Sequence, residues 1–182
     1  MKPLWSAALC MLLLLPPGCS DDADTEPGGD RGSGPAPSPM SPTSFNFDSA
    51  LVRIETAADT HQVRVEVAER EEQRAFGLME RMSLADDAGM VFLYNEPQPA
   101  TSGYWMYRTR IPLDIAFFDG AGRIVAILQM EPCPSSDPAQ CRSAASGYSP
   151  GKPYTGALEV NRGYFAQHGV QVGDRITVVR RQ

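Results

Sequence analysis

Residues 111–128 read IPLDIAFFDGAGRIVAIL. Ile111, Leu113, Ile115 and Phe117 alternate along the first half, and Ile124, Ala126 and Leu128 along the second. Asp119-Gly120-Ala121-Gly122 separates the two runs. An extended chain sends alternate side chains to one face, and an Asp-Gly turn reverses its direction, so the stretch predicts a β-hairpin.

The same period extends outward. Val63, Val65 and Val67 alternate with Arg64 and Glu66, and further strands are expected at 51–55, 90–94, 104–107, 157–160 and 176–179. Short helices fit 69–76 and 162–168, followed by Gly77 and Gly169 where a C-terminal cap belongs. Leu158-Glu159-Val160 before the second helix echoes Val65-Glu66-Val67 before the first. The expected fold is α+β: one compact β-rich domain over 45–182, a mostly antiparallel sheet or partly closed barrel with two short helices.

The N-terminus has another character. Lys2, an apolar run over 4–15 and Gly18 precede Cys19, the layout of a lipoprotein-type signal peptide over 1–18. A cysteine at the first mature position resembles a bacterial lipobox and would carry the lipid, although Pro16 stands where such a box has Leu. The apolar run is shorter than the roughly 20 residues needed to span a bilayer. Residues 19–44 then read as a tether. They hold five acids against Arg31, with Gly28, Gly29, Pro35 and Pro37 among the breakers. A segment with so little to bury does not repay ordering, and as a flexible coil it reaches on the order of 25–30 Å. The expected address is an exported, membrane-tethered lipoprotein of the cell envelope. Ser20 after the cysteine favours the periplasmic side of the outer membrane in a Gram-negative cell.

Most of the net charge of −6 lies in that tether, because 45–182 carries 14 basic and 17 acidic residues. With no basic stripe in the domain, no nucleic-acid partner is expected.

Cys133 and Cys141 are the domain's two cysteines. In an oxidising compartment they read as a disulfide, with a metal site or two free thiols as alternatives. Met79, Met90, Met106 and Met130 either fill irregular core space or, beside Trp105, hold Cu(I) through soft thioethers. His61 and His168 read as isolated structural residues. Gly147-Tyr148-Ser149-Pro150-Gly151 matches G-x-S-x-G, but Pro150 and Pro153 bar the helix that a nucleophile elbow needs. No resident metal or cofactor is expected.

The polar candidates are Arg74 on the first helix, Asp114 in the hairpin, and Glu159 and Asn161 on one strand face. Asn161 is placed to cap the second helix. Arg74 with the acids forms either an internal brace or the polar end of a pocket, with Trp105 as an apolar wall.

Arg74-x-x-Gly77-Leu78-Met79, Gly89-Met90-x-Phe92, Tyr104-Trp105-Met106, residues 111–117, Met130-x-Pro132-Cys133, Leu158-Glu159-Val160-Asn161-x-Gly163 and Gly173-Asp174 occur in that order. Together they resemble domain-of-unknown-function family 192. The resemblance implies a compact β-rich α+β fold and no established activity. Where that family reads Trp-Met-Lys-Asn-Thr, this chain has Trp105-Met106-Tyr107-Arg108-Thr109. The functional expectation is a lipid-anchored, non-catalytic module for a small envelope molecule or a protein partner. Its site would draw on Arg74, Trp105, Asp114, Glu159 and Asn161. The alternatives are a periplasmic hydrolase with Asp114 and Glu159 as paired carboxylates, or a Cu(I)-binding protein.

Overall fold

The computed structural model describes residues 46–145 and 148–180. The signal peptide, Cys19 and tether expected over 1–44 lie outside the described residues. Strands β1 (Asp48–Glu55) and β2 (Thr60–Ala68) pair antiparallel; α1 (Glu71–Phe76) then leads to β3 (Ala88–Gln98), parallel to β2. The hairpin forms as expected from β4 (Leu113–Phe118) and β5 (Ile124–Met130), followed by α2 (Pro138–Ala145), β6 (Tyr154–Asn161), α3 (Tyr164–Gln167) and β7 (Arg175–Arg180). These strands make one sheet in the order β5-β4-β6-β3-β2-β1-β7, with β2–β3 its parallel pair.

The sheet curls into a half-barrel whose edge strands meet at one end. Ile124 N–H donates to Asp174 O at 2.8 Å, and Ile176 N–H to Gly122 O at 2.7 Å. Inside the curl, Val52, Val63, Val65, Val91, Leu158 and Val160 pack with Tyr164 and Phe165 at α3. A second core lies on the outer face of the β3–β6–β4 ribbon, where Met90, Phe92, Met106, Leu113, Ile115 and Phe117 are covered by the connections around them. Two cores on one ribbon explain why every residue of β4 is buried. Among the described residues no helix is long and apolar enough to cross a membrane.

Three expectations need correction. Among the described residues there are three short helices rather than two, because α2 forms next to the disulfide. Residues 104–107 do not make a strand; Tyr104 and Tyr107 each form a single bridge, to Tyr148 and Cys133. The two histidines are neighbours, not isolated: their ring centroids lie 4.8 Å apart, and His168 stacks on Tyr164. The Cys133–Cys141 disulfide forms, with Cα atoms 5.7 Å apart. Closing so short a loop contributes about 2.5 kcal/mol in the chain-entropy model.

Gly122 closes the barrel at φ 76°, and a Cβ there would collide with the Ile176 carbonyl oxygen. Gly122→Ala is expected to destabilise by roughly 1–3 kcal/mol and lower the melting temperature by several degrees. Gly120→Ala, whose Cβ would touch only Thr155 at 3.9 Å, should melt with the parent. Equal melting of both variants would show that closure does not depend on this glycine.

Candidate functional site

Glu159 lies in the middle of β6, directly across from Met90 on β3 and Ile115 on β4. Paired residues of neighbouring strands project to the same face, so its carboxyl is set between two apolar side chains in the second core. It is 4% exposed. Burial alone raises its pKa from the ordinary 4.5 to about 8, with no opposing charge or hydrogen bond to offset it. At neutral pH Glu159 is therefore a carboxylic acid, able to donate one hydrogen bond as well as accept.

The carboxyl stands in a narrow slot of about 20 Å³, lined also by Arg74, Leu78, Met79, Phe92, Trp105 and Thr109. That is room for about one water molecule. Trp105 forms part of its rim, 48% exposed and 5.5 Å from the Tyr107 ring. Arg74 does not reach a carboxylate, contrary to expectation. Its guanidinium donates to the carbonyls of Glu69 and Leu93 and lies 4.8 Å from the Tyr94 ring centre. Three of the five residues expected at a site thus share one cleft.

The other two do not join them. Asp114 pairs across the sheet with Val160, whereas Glu159 pairs with Ile115, so the two carboxyls project to opposite faces. Asp114 Oδ2 accepts the Gly163 N–H at 2.9 Å, tying β4 to the start of α3. Burial raises its pKa against the pull of that amide. Asn161 does not cap the helix either. Gly163 takes that position, while the Asn161 side chain donates to Leu84 O and Ala85 O at 3.1 and 3.0 Å. It thereby fixes one wall of an open groove of about 430 Å³, lined by Arg64, Glu66, Arg81, Leu84 and, shared with the slot, Leu78.

Sequence reasoning missed the clasp that holds the slot together. Glu80 accepts from Arg108 Nε at 2.6 Å and from Arg110 Nε at 2.6 Å, and its amide donates to Arg108 O. The two arginines, Arg110 foremost, hold the Glu80 carboxyl below its usual range. Glu80 and Arg108 both have positive φ, 61° and 55°, a conformation that costs a residue other than glycine about 1–2 kcal/mol. The clasp joins the Leu78–Met79 side of the slot to the Trp105–Thr109 side. Its one trace in the sequence is Arg108 standing where the resembled pattern has Asn, a residue that tolerates left-handed backbone. Cys133 braces the same segment, donating its N–H to Thr109 O. Met79 lines the slot; Met90, Met106 and Met130 fill the second core.

The sequence profile of domain-of-unknown-function family 192, described as "Uncharacterized ACR", matches residues 52–178. The chain belongs to family 192. Among solved structures it is similar to a Sinorhizobium meliloti 1021 protein provisionally described as a transcription regulator. That chain is 33% identical with a TM-score of 0.63, and the match covers 74% of this chain and 96% of the other. A protein of unknown function from Novosphingobium aromaticivorans DSM 12444 is 29% identical with a TM-score of 0.58, covering 76% and 91%. No curated protein matches the chain. For family 192, then, the slot has to be read from its chemistry.

That chemistry has a pH signature. Below about pH 4.5 Glu159 is neutral in folded and unfolded chains alike. Above that, the unfolded chain loses the proton while the folded chain keeps it, so stability falls until the folded carboxyl itself ionises near pH 8. Glu159→Gln keeps the shape and removes the ionisation. It is expected to match the parent near pH 4 and to exceed it by up to roughly 5 kcal/mol above pH 8 in urea unfolding. A difference that does not change with pH would contradict the assignment.

Proposed function

We propose that this chain is a lipid-tethered binding module of the cell envelope, and that the slot between Arg74, Trp105 and Glu159 receives a small ligand. The tether rests on the sequence: Lys2, the apolar run over 4–15, Gly18 and Cys19, then residues with nothing to bury. The site rests on one observation. Among the described residues nothing offsets the burial of the Glu159 carboxyl, and it shares the lining of one narrow slot with Arg74 and the half-exposed Trp105. Burying such a group costs stability, and a strongly shifted titratable residue in a cleft is a candidate for a functional role.

Binding fits the geometry better than hydrolysis. A two-carboxylate mechanism needs both groups to reach one substrate, one as acid and one as base. Asp114 and Glu159 project to opposite faces of the sheet, and Asp114 Oδ2 accepts the Gly163 amide on its own face. The regulator description of the Sinorhizobium relative finds no support in the charge of this domain, whose acidic residues outnumber its basic ones.

A thermal-shift screen of the whole chain in detergent tests the reading, using metals, sugars, peptidoglycan fragments, nucleotides and small acids. A ligand at about a hundred times its dissociation constant adds roughly 2.7 kcal/mol, a shift of several degrees. The shift should vanish in Trp105→Ala and in Arg74→Gln, each compared with its own melt without ligand. A flat screen, or a hit indifferent to both substitutions, would contradict the slot as the site.

A further inference from the structure

Resting on the tether proposed above, we propose that the face carrying Met82 and Trp105 is a bilayer-contact surface, seated on the headgroups of the membrane that holds the lipid anchor. Met82 is 76% exposed and Trp105 48%, and they project from two segments that the Glu80 clasp stitches together. Glu80 stands two residues before Met82, and Arg108 three residues after Trp105. The Glu80 N–H donates to Arg108 O at 2.9 Å, and the Glu80 carboxylate holds Arg108 and Arg110. The half-buried Tyr107 ring lies 5.5 Å from that of Trp105. A single exposed apolar residue needs no explanation, whereas a thioether and an aromatic pair on two braced, adjoining segments make a patch. Tryptophan and tyrosine concentrate at the membrane–water interface, with the ring among the lipids and the polar edge in water. Beside them the clasp sets two arginines against one glutamate, an excess of positive charge that suits lipid phosphates.

The chain also leaves the domain toward its anchor on this side. Asn46 O accepts from Gln73 of α1 at 2.8 Å and from Arg70, just before that helix, at 3.3 Å. Phe76, at the far end of α1, lines the slot with Trp105. A helix of six residues is about 9 Å long. Ser49, three residues past Asn46, lines the neighbouring groove together with Arg81 and Ser83, the two residues that flank Met82. Three extended residues span about 10 Å, so the tether begins beside the Met82–Trp105 face. An anchor on roughly 25–30 Å of flexible chain makes docking of that face an intramolecular event. A patch too weak to hold a free protein to a membrane is then sufficient, and the clasp, by fixing both segments beforehand, leaves little further ordering to be done on contact.

The chain purified from membranes with its anchor, reconstituted into vesicles of phosphatidylethanolamine and phosphatidylglycerol that contain brominated lipid, tests this. Trp5 falls within the expected signal peptide, so Trp105 is the reporter in the mature chain. Mass spectrometry of the N-terminal peptide reads separately whether Cys19 carries lipid. Bromines near the headgroups should quench Trp105 emission at least about twofold more than bromines deep in the acyl chains, the depth expected of an interfacial indole. Met82→Glu changes an exposed position, and this variant should stay anchored and lose most of that quenching. In an anchored chain, emission indifferent to bromine would overturn the membrane assignment and leave the face to a protein partner. Quenching unchanged in Met82→Glu would overturn it as well, because a docked face cannot ignore a charge placed on it. A chain without lipid at Cys19 would overturn the tether, and this inference with it.

Discussion

Strand β6 has apolar packing on both faces, and the rest of the site depends on that constraint. Leu158 and Val160 complete the core inside the half-barrel, while Ala157 belongs to the core outside it. A central strand sandwiched in this way offers no solvent-facing position, so a carboxylate placed there must find a partner or give up its charge. Among the described residues no opposing charge offsets the burial of Glu159, and it keeps its proton. Its acidity is set by the two-layered packing of the whole ribbon rather than by any one neighbour.

Glu66 supplies the contrast. It lies opposite Met90 from the β2 side as Glu159 does from the β6 side, so both glutamates project to the outer face in one row. Glu66 is partly exposed and bound to Arg81, an ordinary half-buried ion pair worth little to stability. Glu159, two strands further into the sheet, lies between Met90 and Ile115 and has no ion pair among the described residues. The ring of connections that excludes water from it is held by the Glu80 clasp and by Cys133 bonding to Thr109. Two non-glycine residues in left-handed backbone are maintained there against their own preference, a cost that structure concentrates where geometry has to be kept.

Much of this was legible in the sequence where chemistry is local. Alternation in 111–128 sufficed for the β4–β5 hairpin, because the side-chain period and the Asp-Gly turn both act within a few residues. Gly169 takes positive φ after α3, and Gly77 does so after α1, although at φ 52° and ψ −132° it is not in the left-handed helical conformation expected of a cap. Arg74, Trp105 and Glu159 were identified as candidates from residue type and setting. What was not legible depends on contacts between distant segments. Asn161 reads as a helix cap until Leu84 O and Ala85 O, more than seventy residues away, take its amide. Asp114 reads as half of a carboxylate pair until strand register turns it to the other face and Gly163 occupies it. Helix α2 carries no apolar stripe in its sequence and is pinned by the disulfide at Cys141, while His61 and His168 meet only because the barrel curls.

The central claim is that Glu159 is a neutral acid in the folded protein at physiological pH. Its side-chain carboxyl ¹³C shift, followed against pH and assigned by the loss of the signal in Glu159→Gln, measures this directly. The account predicts a titration near pH 8. A midpoint between about pH 4 and 5, the ordinary glutamate range, would mean that the carboxyl is solvated or paired, and the slot would lose the hydrogen-bond donor on which its recognition chemistry rests.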